Sequence, residues 1–131
     1  MPDKASANAE EWFKKAEDDA LSVSAILKEG APSTACFPSQ QLAEKYMKGL
    51  LVFHNKPFPK IHDLIELESL LIPTEKNIRN IHADLVVLNR YYIETRYPGD
   101  YPEFTMDEAR EAFGAALRVK EFVLAKTRGK V

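Results

Sequence analysis

Eight prolines divide this chain, and what lies between them has the periodicity of helices. They stand at positions 2, 32, 38, 57, 59, 73, 98 and 102, and in the intervening stretches apolar residues recur every three or four positions. The first stretch opens near Ser6 to Asn8, where Glu11 follows Asn8 by three residues as in a capping box. Ala9, Trp12, Phe13, Ala16, Ala20, Val23 and Leu27 form its stripe, Gly30 is placed to end it, and Pro32 prevents continuation. The second stretch runs from about Ser33 to Phe53 with apolar residues on two adjoining stripes, which predicts a central helix. Pro38 fits its first turn, where backbone amides lack helical partners, or else marks a kink or the true start. Gly49 is costly inside a helix, so a neighbour is expected to pass close to it.

A short helix is expected from about Ile61 to Leu71, stopped by Pro73. The longest run goes from Glu75 to about Tyr97, with Ile78, Ile81, Leu85, Leu88 and Tyr92 as the seam of an antiparallel bundle. Thr105 and Glu108 make a capping box for the last helix, whose expected buried face is Ala109, Ala112, Phe113, Ala116, Val123 and Leu124. β-branched runs are short and sit inside helical periodicity, so no strand is expected. The fold class is therefore all-α: an up-and-down four-helix bundle with an additional short helix, in one domain over residues 1–131. Residues 1–6 and 127–131 read as loose tails.

Composition narrows the class of function. Hydrophobic residues at 45% and charged residues at 29% suit a folded domain and not a disordered one. A net charge of −2 builds no general attraction to nucleic acid or acidic lipid into the chain. Cys36 is the single cysteine, which excludes an internal disulfide or a Cys-rich metal cluster, and it reads as a small buried hydrophobe. The first residues lack the apolar run of a signal peptide, and no stretch approaches the roughly 18 apolar residues of a membrane span. A cytoplasmic protein with no membrane attachment is expected.

Signatures of phosphate loops, nucleophile elbows, zinc proteases and di-iron centres are absent, and no cofactor or metal is expected. His54, His62 and His82 lie on three different segments, with no spacing that would make them converge on a metal. The more informative pattern is a strip on the longest run. His82, Asn89 and Arg96 follow one another at intervals of seven, with Arg79 and Tyr92 extending the same strip. Arginine beside histidine suits an anion such as phosphate, because guanidinium grips it and imidazole donates or transfers a proton. The same strip would equally serve as an interhelical hydrogen-bond network. Gln40, Gln41, Glu44, Lys45 and Lys48 form a polar edge on the second helix that a solvated face would explain, with Glu44 and Lys48 paired at i,i+4. His62-Asp63 reads as a cap or as an anchor to that helix. Glu17, Asp18 and Asp19 read as a wet acidic patch. The basic stretch from Arg118 through Lys120, Lys126, Arg128 and Lys130 reads as a solubilising tail, or as a contact for RNA or an acidic partner.

These blocks, in order, resemble the prokaryotic HEPN domains. The likeness rests on Trp12 with Ala16-Glu17-Asp18, on Cys36-Phe37 followed by Gln40-Gln41-Leu42-Ala43-Glu44-Lys45 and Lys48-Gly49-Leu50-Leu51, and on His62-Asp63-Leu64. It continues through Asn89-Arg90-Tyr91-Tyr92-Ile93-Glu94-Thr95-Arg96-Tyr97-Pro98 and Thr105-Met106-Asp107-Glu108-Ala109. The resemblance implies an all-α bundle, a homodimer, and in many members a small nucleotidyltransferase as partner. Ribonuclease members carry an arginine and then a histidine after a gap of four to six residues. Here Arg79-Asn80-Ile81-His82 leaves two, and no histidine follows Arg90 or Arg96.

The expectation is a nucleotide- or RNA-contacting homodimer that pairs with a nucleotidyltransferase in a toxin–antitoxin-like system. Asn89, Tyr92, Arg96 and Lys45 are its candidate ligand-binding residues. The alternatives are a metal-independent ribonuclease toxin, with Arg79 and His82 as its catalytic candidates, and a purely structural helical dimer. Aromatic residues at Tyr91, Tyr92, Tyr97, Tyr101 and Phe104 give dimerisation a physical motive.

Overall fold

The computed structural model describes residues 3–92 and 103–128. Every regular element among them is helical: α1 (Lys4–Glu29), α2 (Cys36–Phe53), α3 (Leu64–Leu71), α4 (His82–Asn89) and α5 (Met106–Arg128), with 3-10 turns at Pro32–Thr34 and Ile78–Ile81. None of these helices is long and apolar enough to cross a membrane.

The helix ends follow from local chemistry. α1 starts earlier than its capping-box pattern suggested and takes in residues expected to be tail: Asp3 is the N-cap, its Oδ1 accepting from the Ser6 amide at 2.8 Å. It ends at Gly30, whose φ of 75° is open to glycine at little cost, and the Ala31 amide bonds back to the Ile26 carbonyl at 3.3 Å. Pro38 falls in the first turn of α2 and costs no hydrogen bond there. α5 opens with the expected capping box, in which the Thr105 amide donates to Glu108 at 3.0 Å and the Glu108 amide to Thr105 Oγ1 at 3.1 Å.

α2 is the axis, touching each of the other four helices. α1 lies along one side of it, and at their crossing Gly49 admits the Phe13 ring. A Cβ at Gly49 would stand 2.9 Å from Phe13 Cδ1 and 3.1 Å from Trp12 Cβ, both too close for comfort. Phe13 in turn stacks on Tyr46 with ring centroids 5.2 Å apart. α5 closes the bundle with small residues, Ala109, Ala112, Ala115, Ala116, Val119 and Val123 all being buried.

The longest expected helix differs most. In place of one rod from residue 75 to about 97, a 3-10 turn leads into the eight-residue α4, which ends at Asn89. Ile78, Ile81, Leu85 and Leu88 still form the buried seam. Once the helix stops, it is Tyr91 that turns inward, edge-on to Phe104 at 4.9 Å, while Tyr92 meets His62 in the loop before α3. Arg96, Tyr97 and Tyr101 lie outside the described residues.

Candidate functional site

A buried polar cluster sits where α2, α3 and α4 meet. Gln40, Glu44 and Lys48 occupy one face of α2, spaced by four, and all three are buried. This overturns the reading of that edge as a solvated face. Lys48 Nζ donates to Glu44 Oε2 at 2.9 Å, and Gln40 Nε2 to Glu44 Oε1 at 3.3 Å and to the His62 carbonyl at 3.1 Å. Gln41 Nε2 donates to Gln40 Oε1 at 2.8 Å. Lys48 also lies 5.7 Å from the centroid of the Phe58 ring. Leaving a buried carboxylate and ammonium unpaired would be expensive, so this arrangement must be complete to be tolerable.

His62 completes it from the loop before α3. Its Nδ1 is 3.0 Å from both Glu44 carboxylate oxygens. An ionised carboxylate only accepts, so Nδ1 carries the proton and Nε2 lies on the ring edge away from Glu44. The ring stacks on Tyr92 with centroids 4.7 Å apart and planes inclined by 14°. Tyr92 is backed by Phe37 at 6.1 Å. Although Glu44 is 5% exposed, the His62 side chain is 46% exposed. The ring is thus fixed from behind and open in front.

Asp63 and Asn89 hold this loop to α4. Asp63 caps α3, its Oδ1 accepting from the Ile65 amide at 2.9 Å and from Asn89 Nδ2 at 3.0 Å. Asn89 Oδ1 accepts from the Leu64 amide at 2.9 Å. Above these residues opens a cleft of about 380 Å³, lined by Lys60, Ile61, His62, Asp63, Glu66, Asn89 and Tyr92. A smaller cleft of about 240 Å³ shares Ile61 and Glu66 with it and continues over Leu70.

The residues singled out in the sequence are divided among several places. Asn89 and Tyr92 line the cleft. Arg79 and His82 are brought together at a different carboxylate: His82 Nδ1 is 2.8 Å and Arg79 3.9 Å from Glu68 Oε1, on α3. Lys45 belongs to neither group, because its ammonium pairs with Asp19 on α1 at 2.5 Å. Arg96 lies outside the described residues. The third histidine has its own carboxylate, His54 Nε2 standing 2.6 Å from Glu75 Oε2. The three histidines do not converge, and no group of three metal-ligating side chains occurs among the described residues.

Two plainer readings change in part, and that of Cys36 as a small buried residue holds. Two of the three acids of the α1 patch are paired within the chain, Glu17 accepting from Tyr46 Oη at 2.6 Å and from Lys120 at 2.8 Å and Asp19 pairing with Lys45, while Asp18 is exposed. Burial pushes the Glu17 carboxyl up, but the hydrogen bonds from Lys120 and Tyr46 outweigh it and hold it below the usual glutamate value. Three of the basic residues pair likewise, Arg128 with Glu10 at 2.7 Å, Arg118 with Asp84 at 2.9 Å and Lys120 with Glu17, while Lys126 lies over the Phe122 ring and Lys130 lies outside the described residues. Cys36 is fully buried, and burial, helped by Glu108, pushes its thiol up to about 11, so little thiolate is available at neutral pH. The reading of His62-Asp63 as a cap and as an anchor to the second helix holds, through Asp63 at the start of α3 and His62 on Glu44 and Gln40; what sequence reasoning missed is that the Glu44–His62 pair is partly buried and stands at a cleft. The available signal was that both belong to the ordered blocks carrying the family resemblance.

Comparison with known proteins agrees with this architecture. The HEPN domain model matches residues 9–127. Among solved structures, an archaeal HEPN homologue, ST0689, is 28% identical with a TM-score of 0.73, covering 92% of this chain and 98% of its own. TT1696 from Thermus thermophilus is 29% identical with a TM-score of 0.74, covering 91% of this chain and 98% of its own. No curated protein matches the chain.

Proposed function

The chain belongs to the HEPN domain family, and from that premise we propose that it acts as a nucleotide- or RNA-contacting module. It does so as a homodimer paired with a small nucleotidyltransferase, in a toxin–antitoxin-like system. The observation that carries the contact is the His62 ring, stacked on Tyr92 on one side and exposed at the mouth of a cleft. A planar ring already held in place offers its open face to a nucleobase without losing further side-chain freedom on binding. Asn89 and Tyr92 fix that ring's surroundings, and Lys60 on the rim supplies positive charge for a phosphate.

Calorimetric titration of the protein with ribonucleotides and a short single-stranded RNA tests this. Stacking on a side chain contributes about 1–3 kcal/mol per base, so His62→Ala should weaken binding by roughly tenfold or more. Absence of binding to all of these ligands would refute the contact. Copurification with the nucleotidyltransferase encoded beside the gene, and sedimentation equilibrium at micromolar concentration, test the pairing and the dimer.

The convergence of Arg79 and His82 on Glu68 favours one second reading, the metal-independent ribonuclease. Glu68 holds His82 Nδ1 and leaves Nε2 to take or give a proton, with Arg79 placed to offset developing phosphate charge. RNA incubated with the protein in chelator should then be cut, and His82→Ala should abolish cutting. Intact RNA counts against it.

A further inference from the structure

The groups left unspent in the cleft specify what kind of nucleotide it takes. Asp63 and Asn89 line it, but the Asn89 amide and Asp63 Oδ1 are committed to the α3 N-terminus and to each other, which leaves Asp63 a single oxygen, Oδ2, to offer. His62 Nδ1 is committed to Glu44. That leaves the open face of the His62 ring, the ammonium of Lys60 and the carboxylate of Glu66, and neither of these charged groups makes a side-chain hydrogen bond or ion pair among the described residues. One ammonium, one carboxylate with both oxygens free and the single free oxygen of Asp63 line the same cleft as the fixed ring, a combination that a uniformly anionic ligand would not use.

Glu66 is at the start of α3, three residues after its cap, and is shared by both clefts. A carboxylate is an acceptor with two oxygens side by side. Among the common bases, guanine alone presents two adjacent donors, N1–H and N2–H, on its Watson–Crick edge. Adenine and cytosine pair one donor there with an acceptor, and uracil offers a single N–H between two carbonyls. Facing these three, Glu66 would leave an oxygen unpaired or meet an acceptor.

We infer that the cleft takes a guanine nucleotide, with the base on the open face of His62, its donor edge on the Glu66 carboxylate and its phosphate toward Lys60. This rests on the nucleotide-contacting reading above and adds to it the identity of the base. The Glu44–His62 contact acts as the positioning element, since it fixes the plane on which the base lies.

Titration of the full chain with GMP, AMP, CMP and UMP separates this inference from the reading beneath it. Hydrogen bonds to a charged group are strong enough that GMP should bind about tenfold or more tighter than the other three. Glu66→Gln, an exposed position at which folding is not at risk, should bring GMP to the level of the others. Lys60→Ala should weaken all four nucleotides and leave guanosine unchanged. Equal affinities for the four, or a GMP preference that survives Glu66→Gln, overturns the inference and leaves nucleotide contact standing. If none of the four binds and RNA does not bind either, both fall together.

Discussion

The two sides of α2 use ionisable residues in opposite ways. Toward α1 and α5, permanent cations reach carboxylates at the surface: Arg128 to Glu10, Lys120 to Glu17 and Lys45 to Asp19. Those pairs stand at the rim of an apolar core in which Phe13 packs on Gly49 and stacks on Tyr46, and each adds little. Toward α3 and α4, the carboxylates themselves are buried, Glu44, Glu68 and Glu75 being 5%, 1% and 4% exposed. Each is met by one of the chain's three histidines, His62, His82 and His54. One side is a conventional scaffold trimmed with salt bridges. The other keeps its polar groups inside, and it is there that the larger cleft opens.

That contrast can be broken most forcefully at Glu44. Glu44→Ala would strand the buried Lys48 ammonium and release His62, so it should cost about 3–5 kcal/mol in chemical denaturation. A loss under about 1 kcal/mol would mean that the cluster is no more than surface trimming. On the scaffold side the sensitive point is apolar. Gly49→Ala would push a methyl group into the Phe13 ring, with an expected loss of about 1–3 kcal/mol.

A smaller effect is expected at the hinge between loop and helix. Asp63→Ala removes the α3 cap and the Asn89 contact, which should cost about 0.5–2 kcal/mol. It should also weaken nucleotide binding, whereas Gly49→Ala should leave affinity in the folded fraction unchanged. The smallest effects belong to the surface pairs. The Glu10 carboxyl is held below its usual value, chiefly by its hydrogen bond from Arg128. A carboxylate depressed in the folded state contributes stability above its ordinary titration value and loses it as pH falls from there through its lowered folded value. Glu10→Gln should therefore lower stability at neutral pH by under about 1 kcal/mol, and the difference should shrink as the solution is acidified. Melting curves of the two proteins at neutral pH and at about pH 3 would show this.

The scaffold side was legible in the sequence because local rules govern it. Gly30 ends α1, Thr105 and Glu108 cap α5, and Gly49 marks a close helix crossing, each readable from a few neighbouring residues. The site was less legible because its pairings cross turns. Glu44 and Lys48 are visible as an i,i+4 pair, but their burial is decided by the loop and helix that return over them eighteen residues later at His62. The strip of Arg79, His82, Asn89, Tyr92 and Arg96 assumed one continuous helix. α4 stops at Asn89, whose side chain serves the N-terminus of α3, so Tyr92 stacks on His62 while Arg79 and His82 gather at Glu68. Periodicity locates a helix face well, but it does not reveal where that face is interrupted.

The central claim is that binding belongs to the α3–α4 side and scaffolding to the α1–α5 side. An NMR titration of the isotopically labelled chain with GMP tests it directly. Shift changes should concentrate at Lys60, His62, Glu66, Asn89 and Tyr92 and leave α1 and α5 unmoved. Changes centred on α1 and the basic residues of α5, with the His62 loop silent, would contradict it.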